Sequence, residues 1–553
     1  MRGARILADT LENSDVEYAF GLAGSAILGA LDDIARSDVS FVTARHEQVA
    51  TGMATGYALA SQRPTVSISH VGPGAANLIL GTAAAYRDDI PVVAVTGNEP
   101  SDRLGMNVRH EWDVMEIFER FTKHNVRVTR DRPHEQVRNA LLRSVTGVPG
   151  PVHIDFPRDL EEADVPAPDD RSVRRLRETD LRASRSRSRP PESAVERTVD
   201  LLEEADRPLV IAGSEARWFD ATAELERFAE LAEIPVATTK NARGALPESN
   251  PLSMGLVGRP GMDPTNDYLR DADLVIGAGT RFSDITTLNW ELVDPDADIV
   301  HATMREDSLD RYYLSTVSAL ADPASFLADL TDAVAERGDP PSFADVAAPA
   351  RASYESARER FLDPEIQPAE DGVDPRKLVT AIDRAAGEYA FTTGGGVHTD
   401  FPRRLPVDDL NGTFVTANFA GMSQGFPLAM GAQLALDRQV FAFEGDGGFT
   451  MVMQDLETAV REEIPVKIVI LNNESFMSQR ARQERYYEGR YTGSVFSNPD
   501  FAAVAEEFGM FGEQVTDDDQ ISGAVDRLLG ADGPGLLDVH VDPWLGTGDY
   551  DRD

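Results

Sequence analysis

The stretch that most constrains this chain runs from Val440 to Asn473, VFAFEGDGGFTMVMQDLETAVREEIPVKIVILNN. An apolar run, Val440–Phe443, reads as a buried strand and is followed by Gly445-Asp446-Gly447-Gly448. Thr450 to Arg461 has helical spacing, with Met451, Leu456 and Val460 as inward positions. Val466–Leu471 reads as a second buried strand, closed by Asn472-Asn473. Two buried strands joined through a helix make a βαβ unit, whose strands must be parallel. In an open parallel sheet, ligands collect at the carboxyl ends of the strands. Here both ends carry polar, loop-forming residues.

The residue types at those ends suit a phosphate and a hard cation. Glycines let the backbone approach an anion closely, and amides at a helix start point toward it. Mg²⁺ prefers oxygen ligands and takes few of them from protein. Asp446 offers a carboxylate, Asn473 an amide oxygen and residue 475 a main-chain carbonyl. The plainer alternative is a glycine turn capped by Asp446, with Asn472-Asn473 as an ordinary loop. Gly-Asp-Gly alone favours that alternative; the complete strand, turn, helix, strand and Asn pair favours a diphosphate with its metal.

Gly-Asp-Gly closed downstream by Asn-Asn resembles the signature of thiamine diphosphate enzymes. GDGGF, the AVREEIPVKIVILNN run and Gln483, Tyr486 and Tyr487 resemble the acetolactate synthase large subunit, and the resemblance extends from about Gly3 to Pro543. It implies thiamine diphosphate and Mg²⁺ as cofactors, with Asp446, Asn473 and the main-chain oxygen of Ser475 as metal ligands. It also implies an active site between subunits, hence a homodimer or homotetramer. Glu47 of one chain would meet Asp446, Asn473 and Met422 of the other.

The order of elements supports the fold that goes with it. Tyr18–Gly21, Val39–Thr43, Thr65–Ser69, Pro91–Thr96 and Val152–Asp155 read as strands alternating with helices. Alternation of this kind predicts an α/β fold with doubly wound parallel sheets. Three such domains are expected, at residues 1–165, 192–340 and 373–553. They would be the pyrimidine-binding, central and diphosphate-binding domains of the family. The Pro-, Ser- and Arg-rich run over 166–191 and the stretch 337–373, with a helical piece at Tyr354–Phe361, read as linkers.

Glu47 opens a helix just past a strand end. Read alone, it is a first-turn acid complementing the helix dipole. RHEQVATGMATGYA resembles the segment carrying the family's cofactor-activating glutamate, which implies that Glu47 hydrogen-bonds the aminopyrimidine ring. HVGPGAAN resembles the pyrimidine-facing loop, implying cofactor contacts at Pro73, Gly74 and Asn77. The third domain matches through Gly396 and His398 at the diphosphate turn and through Gly421 and Met422, with Met422 as the wedge between the cofactor rings. Gly445, Asp446, Gly447 and Gly448 complete the set. A methionine at Met422 otherwise reads as core.

Several departures concern the substrate. His70 stands where acetolactate synthases carry a small residue, and benzoylformate decarboxylases carry an active-site histidine at a similar place. Arg109 and His110 replace the family's phenylalanine and glutamine. His70 and His110 are candidate proton donors or acceptors, with half-buried loop histidines as the alternative. Arg482 falls where the family's acceptor-shaping tryptophan stands. Arg109 and Arg482 are candidate carboxylate binders, or surface arginines. Lys123 is expected to face the cofactor cleft or a partner chain. In the central domain the family's FAD contacts would include Arg281, but Ala212-Gly213-Ser214 and Pro260 break the pattern and leave FAD open.

Composition narrows the class. At 553 residues the chain needs more than one core. Acidic residues number 94 against 53 basic, a net charge of -41 spread along all domains. Such a surface disfavours nucleic acid and anionic membranes and reads as a halophilic, salt-adapted one. Absence of cysteine excludes disulfides and thiolate catalysis. The amino terminus reads as an amphipathic helix and not a signal peptide, and no apolar window is long enough to span a membrane. A cytoplasmic enzyme is the expectation. It would decarboxylate a pyruvate-like 2-oxoacid and ligate the product. The alternative is a simple decarboxylase of the benzoylformate decarboxylase type, and a third is a cofactor-binding relative without activity. A regulatory subunit is left open.

Overall fold

The computed structural model describes residues 1–182, 187–366 and 369–546. The chain divides into two compact units, one built from 1–185, 369–399 and 414–553, the other from 186–368 and 400–413. Three six-stranded sheets run through them, each with helices on its faces. The first contains β1 (Tyr18–Gly21), β2 (Ser40–Thr43), β3 (Thr65–Ser69), β4 (Val92–Asn98), β5 (His124–Arg127) and β6 (Val152–Pro157), in the order β2-β1-β3-β4-β6-β5. The second contains β7 (Pro208–Ala212), β8 (Val236–Thr238), β9 (Ser253–Leu256), β10 (Leu274–Ala278), β11 (Asp298–Thr303) and β12 (Val317–Leu320), in the order β12-β11-β10-β7-β8-β9. The third contains β13 (Tyr389–Thr393), β14 (Thr413–Phe414), β15 (Gln439–Gly445), β16 (Lys467–Asn472), β17 (Phe511–Val515) and β18 (Gly535–His540), in the order β14-β13-β15-β16-β18-β17.

Neighbouring strands pair in parallel, as in β15 against β13 and β16. Helices cover both faces, so the inner strands are buried along their whole length: β3, β4, β6, β7, β10 and β16 have no exposed position. That is why β7 and β10 read as continuous apolar runs, while β3 and β6 carry buried polar residues as well. In each sheet the winding reverses once beside the first strand, at β1/β3, β7/β10 and β13/β15. These reversals open the crevices in which ligands bind.

Local differences from the sequence reading have physical causes. The helix expected over Thr450–Arg461 is interrupted: Asp446–Phe449 forms one turn, Met453–Asp455 a 3₁₀ turn, and regular helix resumes at Leu456–Arg461. The interruption shifts the phase, so Met451 points outward at 46% exposure while Val452 and Leu456 are buried. The helical piece at Tyr354–Phe361 belongs to a nineteen-residue helix, Ala344–Leu362, that accommodates Pro349. The first linker contains a helix, Asp170–Arg177, and residues 183–186 of its basic run lie outside the described residues. Lys123 holds a loop: its ammonium donates to the carbonyls of Thr146 and Val148. Among the described residues no helix is long and apolar enough to cross a membrane.

Candidate active site

A cavity of about 210 Å³ opens at the reversal between β13 and β15. Three strand ends supply its walls: residues 395–399 after β13, 445–448 at the end of β15 and 471, 473 and 475–479 at the end of β16. Nine of the residues singled out in the sequence line it. Gly396, His398, Met422 and Gly445 do so, together with Asp446, Gly447, Gly448, Asn473 and Ser475. Met422 is 42% exposed, which removes the core-methionine alternative.

The two adjacent asparagines do different work because successive residues at a strand end face opposite ways. Asn472 is buried and donates to Asp538 Oδ1 at 2.9 Å. Asn473 faces the cavity, donates to His398 Nδ1 at 2.8 Å and accepts from the Ser475 hydroxyl at 2.8 Å. Asp446 is 1% exposed; burial pushes its carboxyl up to about 6, against N–H donation from Asn498, Gly447 and Glu474. A carboxylate, an amide oxygen and a backbone segment beside one cavity are an all-oxygen donor set, the chemistry Mg²⁺ takes. Among the described residues no group of three or more His, Cys, Asp or Glu converges to hold a metal, here or elsewhere, so the site depends on amide and backbone oxygens beside the one carboxylate.

The floor is made of glycine for a steric reason. A Cβ at Gly447 would lie 2.4 Å from the Phe476 ring and 2.9 Å from Phe496. Beneath it Glu444 is wholly buried, its Oε1 accepting the Phe426 N–H at 2.7 Å. Burial pushes this carboxyl up to about 7, partly offset by the N–H groups of Phe426 and Gly425. Its Oε2 has no hydrogen-bond partner among the described residues. A Cβ at Gly394 would stand 1.8 Å from that oxygen, so the glycine leaves room for the acid. Glu444 and Asn498 were not singled out in the sequence; a charged residue inside the apolar VFAFEG run was the available signal for the first.

A second cluster forms at the carboxyl edge of the first sheet. Glu47 is 9% exposed, and Asn77 donates to its Oε2 at 2.9 Å. A Cβ at Gly74 would lie 3.0 Å from Glu47 Oε1 and 3.3 Å from His70 Cβ. His70 fills the β1/β3 crevice, where the Ala26 N–H donates to its Nδ1 at 3.3 Å. The His70 and His110 rings meet edge to face at 5.6 Å. Burial, then His110, lowers the His70 pKa below the usual imidazole range. Arg109 is exposed and donates from Nε to His110 Nε2 at 3.2 Å. Pro73 is exposed and Gly421 partly so.

None of the first-sheet residues reaches the cavity, and Arg482 is exposed outside its lining. Binding pockets for whole organic ligands run upward from about 300 Å³, so this cavity accommodates only part of a cofactor of that size. In the central sheet the β7/β10 crevice is closed by backbone. A Cβ at Gly213 would lie 2.1 Å from Gly279 O, and Glu215 accepts from the Thr303 hydroxyl and the Met304 N–H. These residues do not by themselves make a nucleotide cradle.

Comparison with known proteins agrees with the geometry. Residues 1–117 match the thiamine pyrophosphate enzyme N-terminal TPP binding domain, 195–330 the central domain and 394–539 the C-terminal TPP binding domain. A probable acetolactate synthase large subunit of Methanocaldococcus jannaschii is 31% identical over 98% of this chain and 92% of its own length. The acetolactate synthase large subunit of Parasynechococcus marenigrum is 33% identical over 98% and 87%. That of Corynebacterium glutamicum is 32% identical over 95% and 84%. With its two strand-end clusters and this likeness along nearly its whole length, the chain belongs to the thiamine pyrophosphate enzyme family and is a relative of the acetolactate synthase large subunits.

Proposed function

We propose that this enzyme uses thiamine diphosphate and Mg²⁺ to decarboxylate a pyruvate-like 2-oxoacid and join the remaining carbon unit to a second carbonyl compound. The observation that carries this reading is the cavity at the β13/β15 reversal, whose lining holds the candidate metal and diphosphate residues together. Bound there, the cofactor supplies stabilisation of the carbanion left when CO₂ departs. Asp446, Asn473 and the Ser475 carbonyl would hold the cation, and the glycine floor would admit the diphosphate. Glu47, shielded from water and hydrogen-bonded to Asn77, would hold the proton needed at the pyrimidine ring. Gly74 and Asn77, with Pro73 at the loop start, shape that side.

The enzyme is cytoplasmic in this reading, with a salt-adapted acidic surface and three domains at 1–165, 192–340 and 373–553. No residue of the Glu47 cluster lines the cavity in its own chain, which supports a homodimer or homotetramer in which Glu47 of a second copy caps it. Exposure of Met422, Met451 and Phe419 supplies apolar surface for that contact. The visible spectrum of the purified protein decides whether FAD is present. Light scattering measures the assembly and reveals any smaller subunit that copurifies.

The simple decarboxylase is favoured by one observation, the paired His70 and His110, which could supply a proton in place of a second carbonyl. Product analysis separates the two. Purified protein in high salt with Mg²⁺, thiamine diphosphate and pyruvate should yield acetolactate. Acetaldehyde would promote the decarboxylase, and absence of turnover would direct the search to more acidic 2-oxoacids with Arg109 and Arg482 as binders.

A further inference from the structure

The segment after the Met477–Tyr486 helix returns across the site. Val495 forms an antiparallel bridge with Ser475. The Phe476 N–H donates to Ser494 O at 2.9 Å, and the Phe496 N–H donates to Glu474 O at 3.1 Å. Phe496 packs edge to face on Phe476, 4.9 Å between centroids, above the position where Gly447 lacks a side chain. Residues 494–498 thus form a strap along the loop that carries Ser475.

The strap ends on Asn498, whose single amide nitrogen serves two acceptors. Asn498 Nδ2 donates to Asp446 Oδ2 at 2.7 Å and to Asn472 Oδ1 at 2.9 Å. Asn472 in turn donates to Asp538 Oδ1, and Asp538 Oδ2 accepts the Phe501 N–H at 3.3 Å. The chain of bonds has one polarity. The carboxylate oxygens at both ends accept, so both amides are held with their nitrogens toward Asp446 and Asp538 respectively. A side chain without two N–H groups at this position cannot satisfy both acceptors.

We propose that Asn498 is a positioning residue that fixes the plane of the Asp446 carboxylate for the divalent cation, while its strap fixes the Ser475 carbonyl. The inference rests on the metal reading proposed above. Partners that orient metal ligands set affinity by about 10- to 100-fold. A defect in Asn498 should therefore appear in metal binding before it appears in turnover.

The test is calorimetric titration of Mg²⁺ into full-length protein with saturating thiamine diphosphate, for wild type, Asn498→Ala, Asn498→Ser and Asp446→Asn. Thermal unfolding of the metal-free proteins runs alongside. The expected result is an Mg²⁺ affinity about 10- to 100-fold weaker in both Asn498 variants, with kcat at saturating Mg²⁺ within about 3-fold of wild type and little change in the metal-free unfolding midpoint. Asn498→Ser guards against a folding defect in Asn498→Ala. Unchanged affinity in a folded Asn498 variant, with binding lost in Asp446→Asn, overturns the positioning role alone. Unchanged affinity in Asp446→Asn overturns the metal reading beneath it.

Discussion

Glu444 offers a measurement that depends on one buried carboxyl. Its folded-state pKa, about 7, lies above the ordinary value of 4.5. The folded state therefore binds the proton more tightly than the unfolded chain. The stability this confers is complete below pH 4.5 and is lost as pH rises through 7. With those two values, raising the pH from 5 to 8 removes about 2.5 kcal/mol through this group alone. Glu444→Gln keeps an oxygen for the Phe426 N–H and cannot ionise. It places an amide where Oε2 has no partner, a penalty of about 1–3 kcal/mol that does not vary with pH. Wild type should thus lose roughly 2.5 kcal/mol more than the variant over this range. A chain of several domains does not unfold in one step, so the assay is local. Hydrogen exchange of the Gly425–Ala435 helix, corrected for intrinsic rates, reads the opening free energy where Glu444 is bonded. Protein free of metal and cofactor keeps a cation away from Asp446. Parallel pH dependence in the two proteins, within about 0.5 kcal/mol, would refute the assignment of a neutral buried acid at neutral pH.

Other expectations concern the chemistry. Glu47→Gln should lower turnover by about 10²- to 10⁴-fold while calorimetry still detects bound Mg²⁺ and thiamine diphosphate; unchanged turnover removes Glu47 from its role. The Ala26 N–H donates to His70 Nδ1, so the proton of the neutral ring sits on Nε2. If His70 acts as a hydrogen-bond donor, His70→Gln retains more kcat than His70→Asn; equal and severe loss in both points instead to proton transfer. Arg482→Trp should raise preference for a larger, apolar 2-oxoacid over pyruvate as acceptor by about 10-fold or more in competition assays, and an unchanged product ratio places Arg482 outside the acceptor pocket.

The sequence was most readable where burial was most complete. Strands β1 and β3 fall at the residues expected, β15 extends its expected run at both ends, and β16 is displaced from its run by one residue. The strands that escaped notice include sheet edges: β5, β9, β12 and β17. An edge strand needs apolar residues on few positions, and His124–Arg127 and Phe511–Val515 are only partly buried over most of their length. β11 lies inside its sheet but contains a buried histidine, His301, whose Nε2 bonds to Thr280 O, so its polar residue masked the strand pattern. At the site, residues in the Gly-Asp-Gly and Asn-Asn turns were readable because local spacing carries their chemistry. Asn498 was not, since its role comes from a return of the chain 52 residues beyond Asp446. No local pattern encodes that meeting.

A cavity walled by only one of the two clusters has a genetic consequence. In a symmetric dimer built as proposed, each centre takes Glu47 from one copy and Asp446 from the other. Two inactive proteins, Glu47→Gln and Asp446→Asn, then carry complementary lesions. Shuffled in equal amounts, half the dimers are mixed, and in each of these one centre inherits both defects while the other inherits neither. About a quarter of the wild-type activity should return from parents that have none, and an organism carrying both defective alleles should grow where either alone fails.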